Sequence, residues 1–197
     1  MRCMKKISDL FYSKSNIINC LSLTIIMILY AWLVMGSQSK CITNELSNGI
    51  SILGLRFGYS YDSVIELFSS LNLNSLKCYS KLLRIWDNIF PFIYGPMYIF
   101  WLSLIFKNHQ FRNKGLRIIN LYPFVPMTID IIENYFENKI VTQFITTNEI
   151  SHMNVKIASM ITQAKWTFST INYIIILTGI ILMIIGKLRT KNKIKKS

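Results

Sequence analysis

The chain has 197 residues, 52% of them apolar and 16% charged, with a formal net charge of +13. That composition excludes a disordered chain, and a soluble domain fits poorly: mean hydropathy is +0.37, and Asp87, Asp130 and Glu133, three of only nine acidic residues, fall inside apolar stretches. The basic surplus sits in short clusters beside apolar runs, a membrane-topology pattern rather than a nucleic-acid surface, and both histidines (His109, His152) lie in connecting segments, which excludes a bis-histidine haem bundle.

The first apolar run, 17–36, holds twenty residues without a charge, which at about 1.5 Å per residue matches a hydrocarbon core of roughly 30 Å. A cleaved signal peptide is the rival reading, since Lys5 and Lys6 precede the run and small residues follow it. Its length argues for a span, because a signal core is usually about 7–15 residues. The segment 37–84 follows. In it Ser60 is placed to cap a helix whose apolar positions Tyr61, Val64, Ile65, Phe68 and Leu71 recur at helical spacing, with Asp62 in the first turn. A second stripe, Leu76, Tyr79 and Leu83, runs into the next apolar stretch. This amphipathic segment is expected over the mouth of a bundle or in the membrane interface.

The second span, 85–106, is aromatic throughout, carries Asp87 near its start, and is expected to bend at Pro91 and Pro96. The third, 118–136, is the least apolar, with Pro123, Pro126, Asp130, Glu133 and Asn134. The fourth, 166–186, is secure by composition and ends in the basic tail 187–197. Of the 22 Lys and Arg, fourteen fall in the 38 positions 1–16, 107–117 and 187–197, and eight in the 77 positions 37–84 and 137–165. The positive-inside bias then puts both termini in the cytoplasm of a cell-membrane protein and 37–84 and 137–165 outside. The expectation is a single all-α membrane domain, a polytopic four-helix transmembrane bundle with an exterior amphipathic helical segment between spans one and two. The segment 137–165, rich in Thr, Asn and Ser, shows no equally clear pattern.

Four cysteines invite comparison with membrane disulfide-forming enzymes, but no C-x-x-C occurs. A bridge between Cys41 and Cys78 in an oxidising compartment stays open, with two unrelated free thiols as the favoured reading.

Opposite chain directions bring Asp87, at the start of span two, and Glu133, near the end of span three, to similar depth. Asp130, Glu133, Asn134 and Glu137 share one face of the third helix, and Lys165 stands at the mouth of the fourth. The candidate polar site is therefore Asp87, Asp130, Glu133, Asn134 and Lys165, with Asn88 beside it and Arg84 one turn outward as a partner for Asp87. A charge within a span costs about 2.5–3.5 kcal/mol, so these acids must be paired, protonated, near water or cation-bound. Asp130 lies about 9 Å from the end of its helix by the helical rise, with no obvious basic partner at its own level. It is a candidate proton-handling or cation-binding group.

The segments Phe57–Ser60 (FGYS), Trp86–Tyr94 (WDNIFPFIY), Pro126–Asn134 (PMTIDIIEN) and Lys165–Trp166 (KW) resemble an uncharacterised group of four-span integral membrane proteins, mainly bacterial. The resemblance covers roughly 50–190 and carries Asp87, Pro91, Asp130, Glu133, Asn134 and Lys165 as motif positions. Tyr61 departs from it where proline is expected after the capping serine. It implies a four-helix membrane fold and no mechanism.

No nucleophile–base pair, glycine-rich phosphate loop or metal motif is visible, so no cofactor or metal is expected, and whether the chain is an enzyme stays open. Two functions compete. One is a non-enzymatic accessory or structural membrane protein with a buried polar network. The other is a lipid- or small-molecule-handling protein, enzyme or transporter, built on the carboxylates. A single-chain channel is disfavoured because four helices of this size fill their centre with side chains. Expected partners are membrane lipids, a small amphiphilic ligand, and a second copy or a membrane partner; nucleic acid is not among them.

Overall fold

A computed structural model describes residues 2–46, 51–108 and 116–194, and among these the chain is built of helices with no strand. Helix α1 (Arg2–Lys14) precedes α2 (Ile17–Leu29), which passes through a wide π-helical turn, Tyr30–Met35, into α3 (Gly36–Thr43). After a 3-10 turn at Leu53–Leu55 come α4 (Tyr61–Ser69) and α5 (Leu73–Lys81). A second π turn, Leu82–Asp87, leads into α6 (Asn88–Asn108); a 3-10 turn at Leu116–Leu121 leads to α7 (Phe124–Thr147), and α8 runs from His152 to Ile194.

Three of these rods are long and apolar enough to cross a membrane: Ile17–Thr43, Leu73–Lys107 and His152–Gly186. Their outward faces bear the apolar side chains that a soluble protein would hide, with Ile18 71%, Trp32 74% and Leu177 63% exposed. Helix α7 is less apolar because of Asp130, Glu133, Glu137 and Lys139, and its acids turn inward: Asp130, Glu133 and Glu137 are all buried.

Local chemistry explains the boundaries. Asn16 starts α2 by accepting from the Asn19 amide at 2.9 Å. Ser60 starts α4 where the spacing predicts it, in a capping box with Ser63. Asn148, at φ 57°, closes α7 in the left-handed conformation and turns the chain back into α8. Pro91 accounts for the second π turn. It has no N–H for the Asp87 carbonyl one turn earlier, and its ring crowds that carbonyl, so the helix widens just ahead of it. The two π turns meet, as Tyr30 donates to the Trp86 carbonyl at 2.8 Å.

Packing divides into two cores. One lies between the 37–84 segment and the adjoining halves of α7 and α8, with Val64, Leu67, Phe68 and Tyr79 packed on Ile140, Val141, Phe144, Val155 and Ala158. The predicted burial of Val64, Phe68 and Leu71 is found, and Leu76, Tyr79 and Leu83 are buried with them. The other core holds Cys20, Tyr94, Met97, Tyr98, Trp101, Leu104 and Met127. Here Trp101 donates to Thr24 at 3.0 Å across α6 and α2. Gly95 lets α6 approach α7 so closely that a Cβ would stand 1.9 Å from the Met127 sulfur.

Several expectations change. Helices overrun the expected span limits: the first rod continues to Thr43, α7 reaches Thr147, and α8 begins at His152, so 137–165 is a helical hairpin rather than a patternless loop. Residues 2–14, expected only as a basic flank, form α1. Ser8 on α1 donates to Asn120, whose amide reaches Ser103, and Lys107 donates to the Tyr12 and Ser15 carbonyls at the end of α1. Cys41 and Cys78 are bridged, Cα to Cα 6.5 Å, which corrects the favoured reading of two free thiols. Their placement follows from α3 and α5 lying side by side, where Ser75 also donates to the Cys41 carbonyl. Cys3 and Cys20 are free thiols. His109 and most of the basic 107–117 connection lie outside the described residues, as do the tail residues 195–197 and the side chains of 187–194.

Candidate functional site

The polar residues converge where the 37–84 segment, both π turns and the adjoining parts of α6, α7 and α8 meet. On α7 the i,i+3 and i,i+4 spacing lays Asp130, Glu133 and Glu137 along one inward face. Lys165 of α8 reaches that face, with its Nζ 2.5 Å from Glu133 and 3.6 Å from Asp130. It also donates to the Gly54 carbonyl at 3.0 Å, and the Trp166 indole donates to the same carbonyl at 3.2 Å. The 3-10 turn at Leu53–Leu55 is thus pinned over the site by two donors from α8. Gly54 sits close against it, since a Cβ there would stand 3.7–3.8 Å from the Lys165 ammonium and the Glu137 carboxylate.

Tyrosines complete the polar layer. Tyr94 of α6 donates to Asp130 at 2.8 Å. Tyr79 of α5 donates to Glu137 Oε2 at 3.4 Å and accepts from the Leu53 amide at 2.9 Å, tying the 3-10 turn to the same cluster. Burial, with the Glu137 carboxylate nearby, pushes the Tyr59 phenol well above its ordinary pKa, so it stays a neutral donor. Glu137 is fully buried, yet its Oε1 has no hydrogen-bond partner. Asp87, half-buried at the end of the second π turn, makes no hydrogen bond or ion pair through its carboxylate among the described residues. Buried polar atoms are normally satisfied, and Glu137 Oε1 shares its unpartnered state with the Tyr59 hydroxyl and Glu133 Oε1 beside it.

Asp87 and Glu137 border a cavity of about 430 Å3. Its lining combines the polar groups of Asp87, Asp130, Glu137 and Lys165 with aromatic rings from Phe90, Tyr94, Tyr98, Trp166 and Tyr173 and apolar surface from Met27, Ala31 and Met35 of the first rod. Phe90 stacks on Tyr30 and meets Tyr94 edge-on, which fixes the orientation of that wall.

Comparisons with protein-family models, curated proteins and solved structures found no match for this chain. Its chemistry is read from its own residues.

Of the five residues expected at the site, Asp87, Asp130 and Lys165 line the cavity, and Glu133 stands behind them as the tightest partner of Lys165. Asn134 is buried on the same helix but is not part of the lining, and its amide nitrogen has no hydrogen-bond partner. Two expectations are corrected. Asp130 does have a basic partner, because the flexible Lys165 stem carries its ammonium to the level of Asp130. Arg84 does not neutralise Asp87; it is exposed and makes no ion pair among the described residues, while Asn88 donates to its backbone carbonyl. Glu137, on the face shared by Asp130 and Glu133, joins the site beyond the five expected residues, as do Gly54, Tyr79 and Tyr94. The i+4 spacing of Glu133 and Glu137 was the available signal.

Proposed function

We propose that the chain is a four-span membrane protein, with both termini cytoplasmic, that binds an amphiphilic small molecule or a lipid in this cavity. Helix α7 is the fourth span: its acids, which lower its apolarity, are buried against protein, so the surface it offers to lipid is less polar than its composition. The Lys and Arg distribution and the motif resemblance support the same topology.

The observation that carries the functional reading is the cavity itself. Its volume of about 430 Å3 falls within the roughly 300–1,000 Å3 of small-molecule sites, which pair apolar and aromatic walls with a few convergent polar groups. A purely structural polar network, the competing reading, would satisfy its own members. Asp87 and Glu137 instead border the cavity, and neither makes an ion pair among the described residues.

Native mass spectrometry of the protein purified in a mild detergent tests this. Wild type is expected to retain a small amphiphile, and Ala31→Phe, which adds bulk to the apolar wall, is expected to lose it while keeping the Cys41–Cys78 bridge. Equal retention by both, or none by wild type under conditions that keep annular lipid, overturns the reading.

A further inference from the structure

Charge balance around the cavity narrows what its polar groups accept. Four carboxylates, Asp87, Asp130, Glu133 and Glu137, surround one ammonium, Lys165. That ammonium is already committed to Glu133, Asp130 and the Gly54 carbonyl, so it offers an incoming anion little, while the remaining carboxylates would repel one.

A compact metal ion is also a poor match. Among the described residues no three His, Cys, Asp or Glu side chains are grouped to hold one. The cavity, about 430 Å3, far exceeds the roughly 30 Å3 share of a single water. Carboxylates spread around a large space that Phe90 and Tyr94 also line instead suit a diffuse organic cation, which gains from charge-assisted contacts and from cation–π attraction together.

We infer that the head group bound by these polar groups is an organic ammonium ion, held between Asp87 and Glu137 and against the rings of Phe90 and Tyr94, with its apolar part toward the first rod. This rests on the reading of the cavity as an amphiphile site. Lys165 serves here as a positioning residue that holds Glu133 and Asp130 and fixes the 53–55 turn, leaving Asp87 and Glu137 for the ligand. No bond is made or broken.

The test compares three probes with one aromatic ring and similar chains: phenylpentyl-trimethylammonium, phenylpentanol and phenylhexanoate. Each is titrated calorimetrically into full-length protein in phosphatidylcholine nanodiscs, with empty nanodiscs subtracted. The ammonium is expected to bind at least about ten-fold tighter than the alcohol, with no measurable binding of the carboxylate. Glu137→Gln is expected to narrow the ammonium-over-alcohol ratio, and Asp87→Asn gives a second reading should that variant fail to form the Cys41–Cys78 bridge. If the alcohol matches the ammonium, or the carboxylate binds best, the ammonium inference is overturned while the amphiphile site stands. If none of the three binds, the amphiphile reading falls with it.

Discussion

Replacing Lys165 with Met keeps most of the apolar stem and removes the cation that, among the described residues, pairs with this group of four carboxylates. The lost contacts are the 2.5 Å pair with Glu133, the 3.6 Å pair with Asp130 and the bond to the Gly54 carbonyl. Removing one partner of a buried ion pair typically costs about 3–5 kcal/mol, because the other charge is left uncompensated. At about 2–4 °C per kcal/mol for a chain of this size, Tm should drop by about 6–20 °C. Glu133→Gln alone should cost less, about 1–3 kcal/mol, because Asp130 still faces the ammonium. In the double variant the Met no longer confronts an ionised Glu133, so its loss should fall short of the sum of the singles by about 1–3 kcal/mol. Thermal unfolding of the four proteins in one detergent, followed by circular dichroism, reads the cycle. A Lys165→Met protein as stable as wild type, or a double variant whose loss equals the sum, would refute the assignment of Lys165 as the neutralising centre.

Three other outcomes are expected. Replacing Cys41 and Cys78 together by Ser opens a loop of 37 residues and should lower stability by about 3–4 kcal/mol on chain-entropy grounds; a Tm equal to that of the oxidised, bridged wild type would contradict it. Gly95→Ala should cost about 1–3 kcal/mol through overpacking against Met127, and pairing it with Met127→Ala should recover part of the loss in the same unfolding assay. A reporter fused after Lys187 should read as cytoplasmic and one inserted at Thr147–Asn148 as exterior; the reverse pattern would overturn the orientation, and both on one side would overturn the four spans.

The sequence reading succeeded where a signal is local. Ser60 with apolar residues at helical spacing announced α4, and inward acids on an otherwise apolar helix announced the polar cluster, because each pattern follows from a single helix and its periodicity. It failed where two elements must first be placed side by side. The Cys41–Cys78 bridge depends on α3 lying against α5, which no cysteine spacing reveals. The hairpin of α7 and α8 was hidden because its buried positions Ile140, Val141, Phe144, Val155 and Ala158 are embedded among Thr, Asn and Gln on the outer faces. Pairing Arg84 with Asp87 assumed an ordinary helical turn. The π turn ahead of Pro91 changes the register there, and a wide turn cannot be read from composition. The cavity is the least legible feature, since it needs the first rod, α5, α6, α7 and α8 brought together and the 53–55 turn pinned by Lys165 and Trp166.

An experimental density map of the protein in nanodiscs carrying its native lipid tests the central claim most directly. An elongated non-protein feature is expected between α6, α7, α8 and the first rod, with one end within contact distance of Asp87 and Glu137 and the other against Met27 and Ala31. A volume closed by side chains, or filled only by water bonded to Glu137, would contradict it and leave a structural polar network in a membrane protein.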